Sequence, residues 1–214
     1  MEHKGIRMSF STRQEEFWAG EFGDEYIGRN DLTPTNQAMC LDKWIRILPH
    51  MPQPPASILE FGPNIGLNLR ALHELIPDAT LTGVEINAKA VEVLKQWNNA
   101  KVINESILDV SLSGQYDLVF TSGVLIHIKP EELPKVYEKM YTLSRRYIIM
   151  IEYFNPSPVE VCYRGHAERL FKRDFAGDIM NAYPDLRLNN YGFLYKRDNY
   201  FKHDNLNWFV MEKC

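Results

Sequence analysis

From residue 57 to residue 152, two hydrophobic rhythms take turns along the chain. Short apolar runs bounded by polar or glycine residues predict strands at 57–61, 80–85, 102–104, 116–121 and 147–152. Between them, apolar residues spaced three and four apart predict helices over 67–75 and 88–97. A third helix follows Glu131-Glu132, with Leu133, Val136, Tyr137 and Met140 on one side. Pro134 fits only the first turn of that helix, because deeper in it would break the hydrogen-bond ladder. Strands alternating with amphipathic helices imply a parallel sheet covered on both faces, a doubly wound α/β arrangement.

The flanks follow other patterns. A helix is expected over 35–48, with Ala38, Leu41, Ile45 and Leu48 on its buried face and Pro52, Pro54 and Pro55 beyond its end. Upstream, Thr12 and Glu15 have the spacing of a capping box. The aromatic stretch after them, with Trp18, Phe22 and Tyr26, is interrupted by Gly20, Gly23 and Gly28. Large rings on glycine joints suit a lid over a pocket, and equally suit a plug at one end of the core. Past Asn155-Pro156 come a polar stretch at 161–166, a helix over 173–182 stopped before Pro184, and two strands, 186–195 and 208–212. The short polar connection between those strands favours a hairpin. The expected fold is therefore a mostly parallel seven-stranded sheet with an antiparallel final strand and an N-terminal helical cap. One domain is divided into a cap (1–50), a core (55–152) and a substrate-side insertion with the hairpin (153–214).

Composition narrows the function. The chain has 214 residues, 45% hydrophobic and 24% charged, with a net charge of −4, which argues against gripping nucleic-acid phosphate as its main task. Its apolar runs are too short to span a bilayer, and its N-terminus lacks the apolar stretch of a secretory signal. Cys40, Cys162 and Cys214 are odd in number and isolated, which suits reduced thiols in a cytoplasmic protein.

The chemistry centres on Glu60-Phe61-Gly62-Pro63-Asn64-Ile65-Gly66, where the first strand runs into a glycine loop and a helix. A dinucleotide loop needs glycine two residues after the first, so that backbone amides can approach a pyrophosphate; here that position is Asn64. Glu60 at the loop entrance would repel phosphate. It suits S-adenosylmethionine, which has no phosphate, carries a sulfonium and ends in an ammonium. Glu85, about twenty residues past the loop, stands where an acid accepts hydrogen bonds from a ribose diol, with Ile86 beside it. Glu105, Ser106 and Ile107 end the third strand and can read an adenine edge; Thr121, Ser122 and Gly123 follow the fourth and can line the methionine end.

These residues carry a family resemblance. Leu59 to Gly66, Gly83-Val84-Glu85-Ile86 and Tyr116 to Ile128 are similar to the motifs of class I S-adenosylmethionine-dependent methyltransferases. The outer segments, Gln14 to Tyr26, Tyr163-Arg164-Gly165-His166 and Leu170 to Asp178, resemble the methyltransferases associated with pseudaminic acid biosynthesis. The resemblance implies a methyl transfer to a small anionic sugar-type acceptor, with Trp18 and Tyr26 near the cofactor. An RNA or protein methyltransferase and a non-catalytic S-adenosylmethionine-binding module are the alternatives. A hydroxyl or ammonium acceptor needs a base. His127 is the first candidate, and Glu152 and Tyr153 at the next strand end are candidates as base or anchor. Each equally suits a packing role. Arg164, His166, Lys172 and Arg173 concentrate positive charge suited to an anionic substrate, with His166 also within reach of a catalytic role. Cys162 and His166 lack a third ligand at matching spacing, so no metal site is expected.

Overall fold

The computed structural model describes residues 10–28, 30–163 and 166–214, with backbone alone over 166–169. Its elements in chain order are α1 (Arg13–Ala19), α2 (Glu21–Ile27), α3 (Pro34–Ile47), β1 (Ser57–Phe61), α4 (Leu67–Leu75), β2 (Thr80–Glu85), α5 (Ala88–Trp97), β3 (Lys101–Asn104) and β4 (Tyr116–Ser122). They continue with α6 (Leu133–Leu143), β5 (Ser144–Glu152), β6 (Val159–Tyr163), β7 (His166–Lys172), α7 (Phe175–Ala182), β8 (Leu186–Leu194) and β9 (Leu206–Lys213). The seven-stranded sheet has the order β3-β2-β1-β4-β5-β9-β8. Strands β1 to β5 are parallel, and β9 runs antiparallel to both β5 and β8. This is the expected Rossmann-like sheet with its antiparallel last strand.

Strand alternation divides the core into two layers. Ile58, Leu118, Phe120, Tyr147, Ile149 and Ile151 pack with Trp44 and Ile47 of α3 and Leu69 and Leu72 of α4. Leu59, Phe61, Val119, Ile148 and Met150 face the other way, onto Val136 and Met140 of α6 and Ile179 of α7. Successive side chains of a strand point to opposite faces, so Glu60 must project towards α3 and α4, and Glu152 towards α6 and α7.

Local chemistry sets the element ends. Thr12 and Glu15 form the expected capping box at α1. Thr33 caps α3, with Pro34 in its first turn. The Asn87 side chain accepts from Ala90 N at 2.9 Å to start α5. Asp174, not Arg173, caps α7, accepting from Gly177 N at 2.8 Å.

Two expectations need correction. The buried face of α3 is Lys43, Trp44 and Ile47, whereas Ile45 is 57% exposed. The apolar count placed the helix correctly but misjudged its rotation, because a lysine belongs to the inner face. The polar pattern around 161–166 also predicted no strands, yet β6 and β7 on either side of residues 164–165 pair antiparallel as a separate two-stranded ribbon. Among the described residues, no helix is long and apolar enough to cross a membrane.

Candidate functional site

A cleft of about 500 Å³ opens at the carboxyl ends of β1, β2 and β4, where open α/β sheets bind ligands. Its floor is the β1–α4 loop. Gly62 and Gly66 have φ of 71° and 84°, the left-handed region where a side chain is strained. A Cβ at Gly62 would stand 2.5 Å from Val124 Cγ2, and one at Gly66 would stand 2.3 Å from Leu94 Cδ1. Asn64 also has positive φ, 52°, which asparagine tolerates better than most residues. Its side-chain oxygen accepts from Ile65 N at 2.8 Å, and its own N–H donates to Glu85 Oε2 at 2.7 Å. The residue that departs from a glycine pattern thus ties the loop to the next strand.

Glu60 lies fully buried beneath this loop. Its Oε1 accepts from Asn68 Nδ2 at 2.7 Å, while Oε2 has no hydrogen-bond partner among the described residues. Burial pushes its pKa up to about 8, against the opposing pull of Asn68 and of the Lys43 ammonium; the Glu85 charge adds to the rise. Glu85 is also buried. Its Oε1 accepts from Asn87 N at 2.8 Å, so each carboxylate oxygen holds one backbone N–H and keeps capacity for another donor. Burial raises its pKa, with the Asn87 and Asn64 amides pulling it back.

Gly62, Asn64, Glu85 and Ile86 line the cleft, and so do Glu105, Ser106, Ile107, Ser122 and Gly123. Gly66 sits behind the wall, at the start of α4. Thr121 is fully buried and off the wall. Ser106 has its hydroxyl engaged: it donates to Glu15 and accepts from Leu108 N at 3.0 Å.

The aromatic N-terminal segment covers the cleft, with Trp18 and Tyr26 on its wall. Asn87 Nδ2 donates to the Trp18 carbonyl at 3.2 Å and to Asp24 Oδ1 at 2.9 Å, and Lys89 pairs with Asp24 at 2.6 Å. The Trp18 ring meets His127 at 4.5 Å between centroids, and its buried Nε1 has no hydrogen-bond partner among the described residues.

On the far side of the cleft, His127 also meets the Tyr163 ring at 5.1 Å. Tyr153 lines the cleft, and its hydroxyl bonds Asp204; burial first, and then Asp204, raise its pKa, so it stays protonated. Glu152 does not reach the wall. It is buried, and its Oε1 accepts from Val124 N and Leu125 N at 3.1 Å each, holding the turn that carries His127. Burial pushes its pKa up to about 7, against those amides. Arg164 lies outside the described residues, as does the side chain of His166. Lys172 and Arg173 line a separate depression. Lys172 lies over the Tyr153 ring at 4.8 Å, and Arg173 is paired with Asp178 at 2.6 Å. Among the described residues, no cluster of three metal-ligating side chains occurs.

Sequence reasoning missed several wall residues. Lys43 reaches Ser122 Oγ at 3.3 Å, Asn68 anchors Glu60, and His203 and Asp204 come from the polar β8–β9 connection. Only the position of Lys43, four residues before the apolar Ile47 and so on the same helix face, hinted at the first of these; the connection offered no periodicity at all.

Residues 58–146 match a family profile described as a methyltransferase domain. Comparison with curated protein sequences finds no match. Among solved structures, magnesium protoporphyrin IX methyltransferase (ChlM) from Synechocystis PCC 6803 with bound SAH is similar at TM-score 0.69. Identity is 15%, over 94% of this chain and 97% of that one. The plantazolicin methyltransferase BpumL, in complex with a pentazolic desmethylPZN analog and SAH, follows at TM-score 0.67 and 14% identity, over 94% and 95%. DhpI in its SAH complex is similar at 0.60 and 14%, over 93% of each chain. At these identities the likeness speaks for the fold. Residues 58–146 thus match a methyltransferase-domain profile, and the chain has the Rossmann-like fold of the class I methyltransferases.

Proposed function

We propose that the chain transfers a methyl group from S-adenosylmethionine to a small, anionic, sugar-type acceptor. The observation that carries the donor is Glu60, a buried carboxylate with an unpartnered oxygen beneath the loop. An ammonium placed there favours the ionised carboxylate and fills the empty hydrogen-bond position, whereas a pyrophosphate would disfavour that ionised form. When bound, S-adenosylmethionine supplies an electrophilic methyl group on sulfur. The remaining contribution belongs to this chain's residues. Glu85 accepts from a ribose diol, Glu105 with the Ser106–Ile107 backbone borders the adenine, and Ser122 and Gly123 border the methionine end. Trp18 and Tyr26 cover the whole and exclude water. The solved structures named above carry SAH or SAM, which favours the same assignment.

The acceptor side rests on chemistry and resemblance. The cleft is roofed by α1 and α2, which suits a small molecule better than a polymer strand. Lys129 on its wall brings positive charge to an acidic protein, and Lys172 adds more in the adjacent depression. The similarity of the outer segments to methyltransferases associated with pseudaminic acid biosynthesis points to a sugar acid or sugar nucleotide; Arg164 and His166 in that segment are proposed to hold its acidic group. The cysteine pattern suits a reducing, cytoplasmic setting.

Calorimetry with SAH and mass spectrometry of sugar metabolites incubated with enzyme and S-adenosylmethionine test the reading. We expect binding tighter than the order of millimolar and a mass gain of one methyl on an acidic sugar. Absence of SAH binding overturns the donor assignment; methylation confined to bulk RNA or protein overturns the acceptor assignment.

A further inference from the structure

Among the described residues, a largely buried acid–histidine pair touches the cleft, and none of the roles assigned above uses it. His203, in the β8–β9 connection, is 7% exposed and lines the cleft with Asp204, Leu206 and Tyr153. Its Nε2 lies 2.9 Å from Asp42 Oδ2, on α3 and far away in sequence. Asp42 is held in turn by Arg46, whose Nε lies 2.9 Å from the same oxygen and 3.0 Å from Oδ1. Arg46 also approaches Asp198 at 3.8 Å, and Asp198 accepts from Tyr200 N and Phe201 N at 2.8 and 2.9 Å. The connection is therefore fastened to α3 at both ends of its turn.

A carboxylate only accepts hydrogen bonds, so its bond to His203 requires the hydrogen on Nε2. That fixes the neutral tautomer and makes Nδ1 the basic nitrogen. A buried carboxylate behind an imidazole orients the ring and stabilises the imidazolium formed when it takes a proton. The alternatives at the acceptor end are less suited. Tyr153 is a donor to Asp204, Glu152 is turned into the core, and the His127 ring is wedged against the Trp18 and Tyr163 rings at 4.5 and 5.1 Å between centroids.

We propose that His203, positioned by Asp42, is the general base for the methyl transfer proposed above, on which this inference rests. The acceptor oxygen or nitrogen forms its bond to the methyl carbon as the carbon–sulfur bond breaks, and that electron pair stays on sulfur. The acceptor's proton passes to His203 Nδ1, and the imidazolium charge is met by Asp42. The charged and titratable groups around the ring are Asp42, Arg46 and Lys43 on α3, Asp198 and Asp204 on its own connection, and Tyr153 at the end of β5.

Two measurements test it. In the SAH-bound protein, nitrogen-15 spectra of the histidine rings should show His203 as the Nε2–H tautomer, a preference that weakens in Asp42→Asn. An Nδ1–H tautomer overturns the dyad without any acceptor in hand. In turnover with S-adenosylmethionine and the sugar methylated by the wild type, His203→Asn and His203→Gln should lose kcat by about a hundredfold or more and lose the acidic limb of the pH profile. SAH affinity should hold within about threefold in both variants, which separates this result from failure of the cofactor assignment. Wild-type kcat with an unchanged acidic limb in both variants overturns the proposal.

Discussion

Two glutamates of equal charge at neighbouring strand ends are prepared for different partners. Glu85 is met by two backbone amides, which keep a buried carboxylate ready to accept further neutral donors. Glu60 is met by one amide side chain and leaves an oxygen bare, which is the basis of the ammonium proposed for it. Because burial holds Glu60 near pKa 8, it is largely protonated at neutral pH without ligand, and an ammonium favours its ionised form. The sign follows: SAH affinity should rise as pH goes from about 6 towards 8, with a proton released on binding. Glu60→Gln should weaken SAH by at least about tenfold and flatten that pH dependence. Calorimetry in two buffers of different ionisation enthalpy reads both effects. A wild-type affinity independent of pH would sink the assignment of Glu60 to the ammonium.

The sheet and the cap over the cleft are held by different means. β1, β4 and β5 are buried on both faces, whereas α1 and α2 are two short helices clasped by side chains: Glu15 on Ser106, and Asp24 on Asn87 and Lys89. Lys89 is largely exposed, so its ion pair adds at most about 1 kcal/mol. Asp24→Ala removes both contacts of that clasp without touching the cleft wall. SAH dissociation, followed by stopped-flow tryptophan fluorescence, should quicken several-fold with little change in thermal midpoint; an unchanged rate would mean that α2 is not a gate. At this scale the sequence was most readable where burial was one-sided or complete. The runs at 57–61 and 80–85 have two covered faces, and β1 and β2 span the predicted residues. The β6–β7 ribbon was not legible because β6 is only five residues long and no residue of it is fully buried, with Val161 and Tyr163 alone leaning on the core. In the site, Glu60 and Glu85 could be read because loop chemistry fixes where they stand. Lys43, His203 and Asp42 could not, since only the packing of α3 against a distant connection brings them to one cleft.

At the scale of the whole molecule, the sheet places two buried acids on opposite faces at its carboxyl edge, Glu60 towards α3 and α4 and Glu152 towards α6 and α7. Burial raises both, to about 8 and about 7, above the 4.5 of an open glutamate. The folded protein therefore binds more protons than the unfolded chain between pH 4.5 and these values. Stability must fall as pH rises through that window, and level off once both groups are ionised in the folded state. Thermal unfolding without ligand should give a lower midpoint at about pH 8 than at about pH 6, and Glu60→Gln should reduce the difference. Saturating SAH should shrink it as well, since an ammonium at Glu60 returns that folded pKa towards the unfolded value while binding adds its own stabilisation. A midpoint that climbs between those two pH values would show that the acids are ionised in the resting fold. The carboxyl edge of the sheet would then be charged before any ligand arrives.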